Sequence, residues 1–200
     1  MSRRLSSFLA VGVVALMLVP AALAVRVHVR VEGKTQTIFG SAEPTLSVQV
    51  NALDALDSAS VAGEFYYHVT LSGFGPYVDQ IGHYAADSSS GWVFKVNGVS
   101  PPVGADQVTL KTGDRVLWYW AAFGPSGGPP TLVLQTTNKK RSCYRVLAQD
   151  DNGKTTAARG AVLHVGSRSV RARTGSACVG PHRGTVRATL AGAVRSNALT

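Results

Sequence analysis

The chain has 200 residues, a formal net charge of +9 and two cysteines. Without a leader of 24 residues, 176 remain, which limits the mature protein to one large or two small domains. No long low-complexity segment or internal repeat breaks the chain, and two cysteines without a Cys-x-x-Cys or a His pair do not spell a metal site.

Residues 1–24 read as a secretory signal peptide: Arg3 and Arg4, an uncharged run from Phe8 to Leu23, then Ala22-Leu23-Ala24 as a cleavage site. A membrane anchor is the competing reading, but the run is shorter than the roughly 20 residues of a spanning helix and is interrupted by Pro20. The arginine pair fits a twin-arginine signal less well, because Ser6 and Ser7 stand where that motif takes an apolar residue. The expected location is therefore extracellular or cell-surface, with no membrane span after cleavage.

Val25 to Val31 alternates Val with Arg or His, the pattern of a strand with one buried face, and it places Arg26, His28 and Arg30 in solvent. Glu32-Gly33-Lys34 is a turn, with Gln36 to Phe39 returning as a hairpin arm. From Thr45 to Ser60 the spacing of Leu46, Val50, Leu53 and Leu56 predicts an amphipathic helix beginning at Pro44, with Asn51, Asp54 and Asp57 on its wet side. Glu64 to Leu71 alternates again. A loop follows from Ser72 to Ser90, with Ile81 in a short buried strand.

Gly91 to Trp120 carries the densest pattern: a strand over Trp92–Val96, a turn at Asn97-Gly98, a second turn at Gly113-Asp114, and a strand over Arg115–Trp120. Asn-Gly suits a tight turn because both residues tolerate positive φ. Alternation puts Trp92, Phe94 and Val96 on one face, and Val116, Trp118 and Trp120 on one face of the later strand.

These residues, Gly-Trp-x-aromatic-x-Val-Asn-Gly followed by Gly104-Ala105 and Lys-x-Gly-Asp-x-Val-x-Trp, resemble the transcobalamin-like C-terminal domain family of secreted and surface proteins of bacteria. The resemblance covers residues 25–123 and implies an α+β fold, a β-grasp-like sheet with one packed helix. In the cobalamin transporters of that family the domain is one jaw around a corrinoid, the other being a helical barrel. Nothing here could form that barrel, and small-molecule sites usually bury 70–90 % of their ligand. A corrinoid-like capture role acting with a partner is therefore the alternative reading and not the leading one.

A Pro/Gly linker at 124–130 separates halves of opposite charge. Val25 to Gly124 has 6 Lys plus Arg against 9 Asp plus Glu, and Pro125 to Thr200 has 12 against 2. Short strands in 131–200, with a turn at 150–153, predict a small basic all-β domain of immunoglobulin-like type. Cys143 and Cys178 are expected to form its disulfide, with two buried thiols as the alternative. Its arginines at 168, 171, 173, 183, 187 and 195 are read as solvated strand faces, or as a surface for an anionic cell-envelope polymer or a membrane surface, with a surface protein as a further partner. Nucleic acid is not expected, since aromatics are not interleaved with the basic residues.

No Gly-x-Ser-x-Gly, His-Glu-x-x-His, phosphate loop or Cys–His pair occurs, and His83 with Asp87 to Ser90 is the sort of combination that chance supplies. No enzyme activity and no cofactor are expected. The candidate ligand-binding residues are the aromatics Trp92, Phe94, Trp118, Tyr119, Trp120, Tyr77 and Tyr84, as a stacking surface for a small molecule or protein loop. The competing reading makes Trp92 and Trp118 core residues on the helix. Together these features point to a secreted, non-catalytic binding or adhesion-type accessory protein of the cell envelope.

Overall fold

The computed structural model describes residues 24–73, 75–124 and 127–200, so the expected leader lies outside the described residues except for Ala24. The first strand, β1 (Val25–Glu32), buries Val27, Val29 and Val31 completely, as its two-residue period requires. β2 (Thr37–Phe39) pairs antiparallel with the end of β1, and β3 (Thr45–Val48) pairs antiparallel with its start, Val25 opposite Val48 and Val27 opposite Leu46.

The helix α1 spans Ala52–Gly63. Thr45 to Val48 is extended, which corrects the helix predicted from Thr45: Leu46 and Val48 satisfy a strand's alternation, and the free edge of β1 takes them. Asn51 starts the helix as its N-cap. Its side chain accepts from Asp54 N–H and the Asp54 carboxylate accepts from Asn51 N–H, both at 2.9 Å, a capping box that satisfies otherwise orphaned donors. Val50, expected inside a helix face, is instead 49 % exposed. Ala52, Ala55, Leu56 and Ala59 form the buried stripe.

β4 (Tyr67–Ser72), β5 (Gly75–Ile81) and β6 (Tyr84–Ala85) make a three-stranded antiparallel sheet, so the stretch predicted as a loop after Ser72 contains a seven-residue strand. β7 (Ser90–Val96) and β8 (Arg115–Ala122) pair antiparallel with Trp92 opposite Trp120, Phe94 opposite Trp118 and Val96 opposite Val116, which puts Trp92, Phe94, Trp118 and Trp120 on one face. Asn97 (φ 53°) and Gly98 (φ 86°) make the tight turn. Asn97 also donates to the Asp114 carboxylate at 2.8 Å and accepts from Arg115 N–H, tying the two turns together. β8 runs parallel to β1 and completes a five-stranded sheet in the order β2-β1-β8-β7, with β3 also on β1. The described fold is mixed α and β, dominated by strands.

Beyond residue 130, β9 (Thr131–Asn138), β10 (Cys143–Gln149), β11 (Thr155–Ala157) and β14 (Ser176–Cys178) form a four-stranded sheet centred on β10. β12 (Ala161–Val165), β13 (Arg168–Ala172) and β15 (Val186–Thr189) form a three-stranded one. Leu132, Leu134, Val146, Leu163, Val186 and Ala188 lie in the core of this half. Cys143 and Cys178 stand directly opposite on β10 and β14 and are disulfide-bonded. Among the described residues no helix is long and apolar enough to cross a membrane.

The two halves meet on the face of the five-stranded sheet opposite α1, and this corrects the expectation of a solvated face. Arg30, Glu32 and Lys95 are buried, Glu32 and Lys95 completely. Glu32 accepts from Arg30 at 3.3 Å, Thr37 at 3.1 Å and Arg195 at 3.0 Å, and from Arg187. Arg187 and Arg195, expected on solvated strands, thus reach across from the second half. Burial first, and then the neighbouring guanidinium groups, pull the Arg187 side chain below its ordinary pKa against the opposing pull of Glu32. Lys95 donates to Thr131 Oγ1, to Gln149 O and to Asp150 O, and pairs with Asp151 at 3.3 Å. Tyr119 is 1 % exposed on this face and Trp118 2 % exposed on the other, so neighbouring positions of β8 are both buried. His28 is partly covered, 3.0 Å from Glu43 O.

Candidate functional site

A cleft of about 330 Å³ runs along the β7 edge of the five-stranded sheet. Because β7 and β8 place Trp92, Phe94 and Trp118 on one face, these rings supply an aromatic floor. The strand β5 supplies Pro76, Tyr77 and Val78 as one wall, and the loop Ser100–Ala105 supplies the other. Phe123, Gly128 and Asp151 complete the lining. Trp92 and Trp118 are each only 2 % exposed, whereas Tyr77, Val103 and Phe123 at the rim are 43 %, 45 % and 50 % exposed.

The floor is rigidly held. Phe94 stacks on Trp118 with centroids 5.0 Å apart, and Trp92 meets Trp120 edge-on at 5.6 Å. Trp92 Nε1 donates to Tyr84 O at 2.9 Å and Trp118 Nε1 to Ala52 O at 3.2 Å, so both indoles are anchored in the core while a part of each lines the cleft. Gly91 allows Tyr77 to lie against β7, since a Cβ there would sit 2.5 Å from the Tyr77 hydroxyl. Burial, and then Asp79, push the Tyr77 phenol up from its ordinary pKa, so it stays a neutral hydroxyl at neutral pH.

Of the sequence-predicted aromatics, Tyr77, Trp92, Phe94, Trp118 and Tyr119 line this cleft. Trp120 and Tyr84 do not. They pack together at 6.0 Å on the neighbouring stretch of sheet, and Trp120 lines a separate groove beside Pro129, Pro130 and Arg195. The exposed stacking platform is thus replaced by a cleft over buried rings. The turn residues Asn97, Gly98, Gly113 and Asp114 are structural and sit at the strand ends.

Sequence reasoning missed the rim residues Val103 and Phe123 and the one charged residue on the cleft wall among the described residues, Asp151. Ser100-Pro-Pro-Val103 marked a loop but gave no sign that the loop folds back over the tryptophans. Asp151 was visible only as part of an Asp-Asp-Asn-Gly turn in the other half of the chain. Asp87 is engaged by its own turn: backbone and side-chain donors of Ser89 and Ser90 hold its carboxyl at a pKa of about 2, and His83 lies against Tyr84 instead. Among the described residues no group of three or more His, Cys, Asp or Glu side chains could hold a metal ion.

Residues 50–122 match the family described as Domain of unknown function (DUF4430). A crystal structure of a Ruminococcus gnavus ATCC 29149 protein, whose description suggests metal binding, is similar over 50 % of this chain and 99 % of its own, with 16 % identity and a TM-score of 0.39. No curated protein matches the chain.

Proposed function

We propose that the protein is a secreted, non-catalytic binding protein that takes a small apolar or aromatic group into the cleft over Trp92, Phe94 and Trp118. The observation that carries the reading is the cleft itself. It joins a buried aromatic floor to an exposed apolar rim at Tyr77, Val103 and Phe123, and its volume falls within the roughly 300–1,000 Å³ range of ligand sites. In this reading residues 25–123 are a transcobalamin-like, β-grasp-like domain. The motif from Gly91 to Trp120 supports that, and so does the matched family segment, which spans it.

Residues 1–24 act as the export signal, and residues 131–200 form an immunoglobulin-like domain. The exposed arginines 168, 171, 173 and 183 of that domain favour anionic envelope material. A corrinoid is a poorer fit, because a ligand beyond drug size would stand mostly outside a cleft near the low end of that range.

The test is titration with the neutral dye N-phenyl-naphthylamine. Saturable fluorescence enhancement is expected, and it should be abolished by Val103→Asp and Phe123→Asp at unchanged melting temperature. Enhancement that survives both variants would refute the cleft as the site. Retention on purified cell wall at low but not high salt is expected for the basic half, and no retention at any salt would rule out envelope docking.

A further inference from the structure

The cleft is built by both halves of the chain, and its charge is the opposite of the protein's. In a chain of net charge +9, Asp151 is the one charged residue on the cleft wall among the described residues, and none of them brings a cation to the lining. Asp151 comes from the turn between β10 and β11, otherwise part of the basic half. All of its side-chain hydrogen bonds and its ion pair fall on Oδ1: Ser100 Oγ at 3.2 Å, Tyr119 Oη at 3.4 Å and Lys95 Nζ at 3.3 Å.

Among the described residues nothing donates to Oδ2, and the side chain is 46 % exposed. Gly127 and Gly128 border that oxygen; a Cβ on either would stand 3.8 Å or 3.9 Å from it. Lys95 does not cancel this charge outright. Its ammonium is buried, is shared with Thr131 and two main-chain carbonyls, and feels Asp150 as well as Asp151.

A carboxylate with one oxygen unengaged among the described residues, beside an aromatic trough, matches a particular ligand chemistry. A flat apolar body lies on the rings, and a cationic donor at its end reaches Oδ2 while passing over aromatic faces that favour positive charge. We propose that the cleft selects small arylalkyl amines in their protonated form, with Asp151 as the group that recognises the ammonium. The proposal rests on the reading of the cleft as the binding site. It also gives the second half a role in recognition, because without residues 127–151 the cleft would lose its charged residue.

The test is calorimetric titration of the full chain with three probes of one shape: phenethylamine, phenethyl alcohol and hydrocinnamate. The amine is expected to bind about fivefold more tightly than the alcohol, the size of a half-exposed charge pair together with a cation–π contact, and hydrocinnamate more weakly than both. Asp151→Asn should bring the amine down to the alcohol and leave the alcohol within about twofold. Phe123→Lys, at a half-exposed rim position, should lower the amine-to-alcohol ratio without relying on any change at Asp151.

Equal binding of amine and alcohol to the unaltered protein would overturn the proposal and leave the apolar cleft standing. An amine preference that persists in both variants would also overturn it. Failure of all three probes to bind would remove the cleft reading as well.

Discussion

Replacing Glu32 with Gln should expose what holds the two halves together. The carboxylate is fully buried and accepts from Arg30, Arg187, Arg195 and Thr37, two of those guanidinium groups coming from more than 150 positions away in sequence. Gln keeps the volume but removes the charge and presents an amide donor to a ring of donors. Removing one partner of a buried ion pair costs about 3–5 kcal/mol, because the charges left behind stay desolvated. Here three guanidinium groups would remain, and Glu43, 3.3 Å from Arg30, is the one other carboxylate paired with them among the described residues.

Against a total stability of about 5–15 kcal/mol that is a large fraction, and at about 2–4 °C per kcal/mol it lowers the melting temperature by roughly 6–20 °C. Added salt should restore part of the loss in the variant more than in the unaltered protein, since it screens the exposed edges of the cluster. Denaturant melts at low and high salt measure both effects. A change below about 0.5 kcal/mol, typical of a surface site, would refute Glu32 as the bridge between the halves.

Replacing both Cys143 and Cys178 with Ser opens a loop of 35 residues and should cost about 4 kcal/mol on the chain-entropy scale, read as a lower denaturant midpoint; no change in midpoint would contradict it. Asn51→Ala removes the helix cap and should cost about 1 kcal/mol, with Asn51→Asp nearly neutral in the same melts. Gly98→Ala should be destabilising by about 1–2 kcal/mol, because Gly98 has φ 86° and a Cβ would lie 2.3 Å from the Gln149 side chain. Asp87 has a folded pKa depressed to about 2, so its contribution is present above the ordinary carboxylate value near 4 and is lost as pH falls from there through 2; Asp87→Asn should lower stability at neutral pH, where that contribution is full, and flatten the fall in stability over the acid window.

The strands were legible where one face is apolar and the other looks wet: Val27, Val29 and Val31 announce themselves by period, and so do Trp92, Phe94 and Trp118. What stayed hidden was the second burial. Arg30, Glu32 and Lys95 carry charges that ordinarily mark solvent, and nothing local shows that Arg187, Arg195 and the 149–151 turn lie over them. The helix start was misread because Leu46 and Val50 fit a four-residue spacing as well as Leu46 and Val48 fit a two-residue one. The capping pair Asn51 and Asp54 was the signal that separates the two readings. β11 and β14 are three residues each and mostly exposed, too short for a period to register. Half of the cleft was readable as an aromatic cluster, but its charged residue lay across the linker.

The three indole N–H resonances offer a direct check of the cleft. Trp92 and Trp118 line it and Trp120 does not. Adding phenethylamine to the nitrogen-labelled protein should therefore move the Trp92 and Trp118 signals along saturable curves and leave Trp120 in place. Movement of Trp120 alone, or of none of the three at saturating amine, would contradict a ligand site over Trp92, Phe94 and Trp118.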